Sequence, residues 1–192
     1  MVAYGESYCT LEQFKMRSGA GVLDSVQDAA LQDALDEATD QVNAWTGRNF
    51  WLSAADATKD VTSVLGVLDL GDVVSIVSIS PYVSNGLYGD PFDVSAYRLI
   101  PRDGAPLRVP YRLVELFAGW PSASYRVVGE FGWPRIPGPI VSATFLLANR
   151  NRANWTAPFG VTGNAEVGEL ESSNTITPQI KSLLAPFRVK TV

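Results

Sequence analysis

The chain has 192 residues, a formal net charge of −5 and a composition that is 46% apolar. That length suits one domain, or one domain carrying a sizeable insertion, with about 70% of the unfolded surface buried on folding. With Cys9 as its single cysteine and no histidine, the sequence excludes an intrachain disulfide, a thiolate metal cluster and the Ser-His-Asp and Cys-His catalytic arrangements.

A lone thiol of this kind reads as buried rather than reactive. The segment MVAYGESYC lacks a basic stretch followed by an apolar run, and no later stretch reaches the roughly 20 apolar residues of a membrane span, so the expectation is a soluble, intracellular protein. Net negative charge argues against broad nucleic-acid binding, which rests on clustered Lys and Arg. The charge is unevenly placed. Residues 1–48 hold eight acidic and three basic side chains, whereas residues 135–192 hold three acidic and six basic.

Thr10 and Gln13 form a T-x-x-Q capping box, which predicts a short helix to Arg17, stopped by Gly19 and Gly21. Ser25 is the expected N-cap of a long helix that ends at Gly47. On it Leu31, Leu35, Ala38, Val42 and Trp45 share an apolar stripe. Asp28, Asp33, Asp36, Glu37 and Asp40 lie mostly off that stripe. Asp33/Glu37 and Asp36/Asp40 are like charges four apart, an arrangement tolerated when something cationic sits opposite.

From Phe50 to Pro134 the pattern turns to strands. Candidates are 60–70, 73–79, 97–100, 107–109, 113–117 and 124–131, with turns at Asn85-Gly86, Gly89-Asp90 and Arg102-Asp103-Gly104-Ala105, where glycine accepts positive φ. The reading is a small antiparallel β unit inserted between two amphipathic helices, with residues 1–50 and 135–192 as a helical core and 51–134 as the insertion. Pro134, Pro137 and Pro139 separate the last strand from the second long helix. Ile140, Ala143, Thr144, Leu147 and Ala148 recur there at helical spacing, and Arg150 and Arg152 close it. Residues 154–175, rich in Gly, Asn, Ser and Thr, read as a long loop. Thr177-Pro178 opens a last helix with Ile180, Leu183 and Leu184 on one side, ended by Pro186. The terminal Phe187-Arg188-Val189-Lys190-Thr191-Val192 is basic and amphipathic, with no evident place in a core.

Chemical motifs are weak. Asn154-Trp155-Thr156 matches a glycosylation acceptor by chance, the acidic helix lacks calcium-loop spacing, and a pair such as Glu115 and Glu130, imagined as the acid and base of a glycosidase, is two glutamates in strands, a common occurrence. No phosphate-cradling glycine loop is present. From the residues alone, a ligand-binding or hydrolytic β module and a standalone regulatory domain stay open.

Four passages together point elsewhere: Tyr8 to Lys15 (YCTLEQFK), the acidic helix from Asp28-Ala29-Ala30-Leu31 to Trp45-Thr46-Gly47-Arg48-Asn49-Phe50, Val128 to Pro134 (VGEFGWP) with Ile136-Pro137 and its helix, and Ala157 to Val161 (APFGV). In order and spacing they resemble the head–tail connector, or adaptor, proteins of tailed bacteriophages and gene-transfer particles. The resemblance implies an α+β fold of about four helices with an antiparallel β insertion, longer here than in the smaller members. It also implies a structural virion protein of the neck, assembled in the host cytoplasm, without catalysis or cofactor. Its expected partners are further copies of itself in a dodecameric ring, the portal protein above, a stopper or tail-terminator protein below, and at most DNA passing through the lumen. A ring of identical subunits uses a heterologous interface, which suits an acidic face of Asp33, Asp36, Glu37 and Asp40 meeting basic residues such as Arg150 and Arg152. Phe187, Arg188, Val189 and Lys190 are expected to form an arm that orders on the portal.

Overall fold

The computed structural model describes residues 6–19, 25–104, 109–117, 124–156 and 176–189. They form an α+β fold of four helices and a six-stranded antiparallel sheet, the sheet inserted between the second and third helices. The chain divides into two compact units, Met1–Arg48 with Ile136–Val192, and Asn49–Arg135.

In the helical unit, α1 (Leu11–Ser18) begins at the capping box: the Gln13 backbone N–H donates to Thr10 Oγ1 and the Thr10 backbone N–H to Gln13 Oε1. Gly19 ends it in the left-handed region, at φ 71°. The long helix α2 (Asp28–Thr46) starts later than the expected Ser25. Gln27 is its N-cap, without a side-chain cap, and Ser25 contributes only its carbonyl, which accepts from the Asp28 N–H. What fixes this end is Lys15. Its side chain is buried and ion-paired with Asp28 in the first turn of α2, where an acidic group also suits the helix dipole. At the other end Gly47 takes φ 68° and caps Asn43.

The helix α3 (Gly138–Thr156) runs past Arg150 and Arg152, so these arginines do not close it, and residues 154–156 are helical rather than loop. The remaining part of the expected loop, 157–175, lies outside the described residues, as does Gly21. Leu31, Leu35, Ala38 and Val42 of α2 are buried, as are Ile140, Ala143, Thr144, Leu147 and Ala148 of α3, so both stripes read at helical spacing are core. Phe14 joins them, its ring 5.4 Å from that of Phe145. The short helix α4 (Pro178–Leu184) is capped by Thr177 and adds Ile180 and Leu184. Trp45 and Leu183, expected in the core, are only half-buried.

In the sheet unit the strands are β1 (Ala57–Thr62), β2 (Val67–Ser84), β3 (Leu87–Tyr88), β4 (Tyr97–Ile100), β5 (Tyr111–Leu116) and β6 (Ser124–Phe131). Their order is β1-β6-β2-β5-β4, with β3 pairing β2 as a hairpin. The expected 60–70 strand is instead two strands, because the chain reverses at Leu65-Gly66. The expected 73–79 strand is the middle of an 18-residue β2, kept in one piece by register shifts that bend it. Residues 107 and 108 lie outside the described set, and Val109 precedes β5 rather than forming a strand. One face buries Leu68, Leu70, Val73, Ile79, Val114, Leu116, Tyr125 and Val127. Gly104 is needed for a different reason from the one expected: a Cβ there would lie 2.9 Å from the Tyr111 ring. The GEFGWP passage is likewise structural. A Cβ on Gly129 would lie 2.2 Å from the Ser75 carbonyl oxygen, and one on Gly132, at φ 109°, only 1.7 Å from that of Trp51. Beyond it, Trp133 packs on Phe50 at 5.5 Å and donates its indole N–H to Asp72 at 3.0 Å.

Candidate interaction surfaces

The acidic helix owes its surface to one polar edge. Gln32, Asp36, Thr39 and Asn43 follow at steps of four, three and four residues, which puts them on one line of α2. Along that line the segment before α1 is tied down. Ser7 Oγ donates to Asp36 Oδ1, and Gln32 Nε2 donates to both groups at 2.9 Å. The Tyr8 backbone N–H donates to Thr39 Oγ1 at 3.3 Å and the Tyr8 hydroxyl to Asn43 Oδ1 at 2.5 Å. Cys9 follows, fully buried, and burial pushes its thiol pKa up while the charge of Arg17 works in the opposite sense.

This bears on the expected interface residues. Asp33, Asp36, Glu37 and Asp40 are all exposed on α2. Asp36 is engaged by neutral donors of its own chain, and Glu37 accepts from Gln41 Nε2 at 3.2 Å. The like-charge pairs are thus relieved inside the subunit by amides and a hydroxyl. Asp33 and Asp40 have no partner among the described residues. Arg150 and Arg152 are half-buried on α3.

The C-terminal residues have a place in their own unit. After α4 the chain makes a 3-10 turn, Ala185–Phe187. The Val189 N–H then donates to the carbonyl of Thr46 at 2.9 Å, satisfying a last-turn acceptor of α2 that the helix cannot fill itself. The Arg188 guanidinium lies 5.3 Å from the Trp45 ring centroid. Val189 also sits beside Gly47, where a Cβ would meet it at 3.7 Å. Phe187 and Val189 are half-buried and Arg188 is exposed; Lys190 lies outside the described residues.

The sheet unit presents a different kind of surface. Cross-strand partners answer one another's polar groups: Arg126 makes two hydrogen bonds to Asp60 at 2.9 and 3.0 Å, Arg98 pairs with Glu115, and the neutral Ser75 donates to Glu130 at 2.9 Å. The Tyr88 ring lies 3.9 Å from the Arg126 guanidinium, and its hydroxyl donates to Asp60. The bonds from Arg126 hold the Asp60 carboxyl below its ordinary pKa. Glu115 and Glu130, imagined as an acid/base pair, are therefore ladder partners of Arg98 and Ser75.

Around these pairs the large apolar side chains are outside. Leu65 is 96% exposed, Val64 68%, Val83 64% and Leu87 66%, and all four sit at the ends of hairpins. A groove of about 470 Å³ lies between Val74, Val109, Pro110, Tyr111, Pro134 and Arg135. Periodicity does not register these features, since it identifies what is buried. The signal available was Gly66 inside a valine-rich run, the mark of an interruption in a strand.

No protein-family model matches the chain, and no curated protein matches it. Among solved structures, a chain in the neck of an empty gene transfer agent particle, computed with C6 symmetry, shares the fold at TM-score 0.60 and 16% identity, over 100% of this chain and 94% of that one. A chain of the virion of a native gene transfer agent particle is similar at TM-score 0.58 and 16% identity, with the same coverage.

Proposed function

We propose that this protein is a structural component of the neck of a tailed phage or gene-transfer particle, an adaptor that forms a ring beneath the portal and links the DNA-filled capsid to the stopper or tail. The observation that carries this reading is that the likeness to a neck chain spans both proteins almost end to end, helices and β insertion together. A shared superfold alone would leave function open. Here the four sequence passages that resemble adaptors support the same assignment independently. The ring is a dodecamer, which is compatible with the sixfold symmetry in which the matching neck was computed. It acts by contact, without catalysis or cofactor, in the virion neck.

In this reading Asp33 and Asp40, with Glu37 and Asp36 behind their neutral donors, face basic groups such as Arg150 and Arg152 of a neighbouring copy or of the portal. Phe187, Arg188, Val189 and Lys190 are a portal-docking segment, and docking would exchange the Val189–Thr46 hydrogen bond for portal contacts. The test is native mass measurement of the purified full chain alone and with portal protein, alongside a variant lacking residues 187–192. The expected result is a ring-sized complex on the portal for the full chain and a folded, unattached subunit for the truncated one. A chain that never joins portal protein, at any concentration or salt, would overturn the adaptor role. Normal attachment by the truncated chain would remove the terminal segment from it.

A further inference from the structure

The connection between β1 and β2 contains a two-residue turn, closed by an isolated bridge with reciprocal Val64–Val67 backbone hydrogen bonds of 2.9 and 3.0 Å. Both central residues have positive φ, Leu65 at 54° and Gly66 at 80°, the geometry of a type I′ turn. The same chain makes the same turn between β2 and β3 with Asn85 at 48° and Gly86 at 79°. Asparagine is at ease there; leucine is strained and rarely used. At Leu65 the strain serves no packing, since the side chain is 96% exposed and Val64 beside it 68%. Local strain without a structural return marks a functional position.

The second half of the observation lies at the other end of the same ladder. Beside the turn, Val67 pairs with Glu115, and the Leu116 N–H donates to the Gly66 carbonyl. At the far end Val73 pairs with Tyr111, and there the 470 Å³ groove opens between Val74, Val109, Pro110, Tyr111 and Pro134, with Arg135 at its edge. Five residue steps of β5 separate the two ends, on the order of 17 Å. The groove is lined mainly by apolar side chains and has room for a Val-Leu pair. A second groove of this unit, of about 540 Å³, shares Tyr111 but also carries Arg98 and Arg102 and runs to Phe117 at the turn's own end of β5, which suits an apolar tip less well.

We infer that the Val64-Leu65 tip is a knob that enters the Val74/Val109/Tyr111 groove of a second copy of this chain, making a head-to-tail contact within the ring. The inference rests on the ring reading above and names the contact on the sheet unit. Knob and socket are different surfaces at opposite ends of the β2–β5 ladder, so each copy can use both at once, as a heterologous ring requires. An isologous contact of Leu65 on Leu65 would leave the socket empty.

The test uses full-length chains carrying Leu65→Cys or Val109→Cys, treated with a short bis-maleimide; the wild-type chain, whose Cys9 is buried, is the control. An equal mixture of the two variants should give at least tenfold more covalent dimer than either alone, and the double variant should give a ladder. Cross-linking of the Leu65→Cys chain by itself as efficiently as the mixture would establish an isologous contact and overturn the proposal. A ring seen by sedimentation with no cross-link in the mixture would also overturn it, while leaving the ring intact. A chain that stays monomeric at every concentration and on portal protein would remove the ring reading, and the knob with it. Leu65→Asn serves as a second variant, because it matches the Asn85 turn: its melting temperature should not fall, while assembly weakens at least tenfold. Unchanged assembly in that variant would contradict the knob.

Discussion

The helical unit and the sheet unit dispose of their exposed groups in opposite ways. In the helical unit, groups that look free from the sequence are engaged locally: Asp36 by Ser7 and Gln32, Asn43 by Tyr8, and the Thr46 carbonyl by Val189. Among the described residues its strongly exposed large apolar side chains are Met16 and Val26, whereas the sheet unit exposes nine, from Val64 and Leu65 to Phe117. A soluble surface tolerates scattered apolar residues. The placing of four of them, Val64, Leu65, Val83 and Leu87, at tight turns, one of them strained, is what distinguishes the sheet unit. The difference teaches that several charges which look free in the sequence are answered within the chain, by its own donors and ladders.

The largest test of the contrast is Gly132→Ala. The new Cβ would fall 1.7 Å from the Trp51 carbonyl oxygen at a φ of 109°, so backbone must move. Strain and overpacking together predict a loss on the order of 4 kcal/mol, read as a collapse of the denaturant midpoint. A midpoint within error of wild type would mean that the GEFGWP passage is not held as described.

In the helical unit the corresponding weak point is an ion pair. Asp28→Asn removes the Asp28 carboxylate from beside the buried Lys15. Removing one partner of a fully buried pair costs roughly 3–5 kcal/mol; with the Asp28 side chain 33% exposed, the expected loss is about 2 kcal/mol, checked by urea unfolding. Recovery in Lys15→Met/Asp28→Asn would show that the cost lies in the Lys15–Asp28 pair rather than in the loss of a first-turn acid from α2.

How much of this was legible follows from the range of the forces involved. The α2 and α3 stripes, the Thr10 and Thr177 caps, and the ends at Gly19 and Gly47 are local, set by residues three or four apart, and the sequence reading placed them. Asp28 was read as a first-turn acid of α2, but its partner Lys15 comes from another helix, so the true start of α2 and its missing cap were not readable. The break at Leu65-Gly66 was hidden because leucine and valines look like strand. Gly104, Gly129 and Gly132 were visible as glycines, but the atoms that require them, the Tyr111 ring and the Ser75 and Trp51 carbonyls, become neighbours only through the fold. Of the candidate interface, Asp33 and Asp40 are exposed on α2, off its buried stripe; the places of Asp36, Arg188 and Val189 depended on contacts more than 20 residues away in sequence.

A smaller and opposite effect is expected at the Leu65 turn. Leu65→Asn relieves a left-handed leucine and should stabilise the sheet unit by about 1 kcal/mol, seen as a rise in melting temperature. A fall would show that Leu65 packs on something in the free chain. The smallest effect concerns Asp60. The Arg126 hydrogen bonds lower its folded-state pKa, so its stabilisation is complete above the unfolded value near 4 and is lost as pH falls through the lower folded value. Wild type should therefore exceed Asp60→Asn slightly at neutral pH, the two converging in acid. Curves that stay parallel down to the acid limb would remove the linkage.

The central claim is that this chain is a neck ring. A reconstruction of the neck of purified particles from the source of this sequence, with the chain tagged at its exposed Asn85-Gly86 turn, tests it most directly. The account predicts a closed ring of tagged copies between portal and tail, each sheet unit touching the next through the Leu65 turn. Tagged density absent from the neck, in particles that still join heads to tails and in cells that still make the chain, would contradict it.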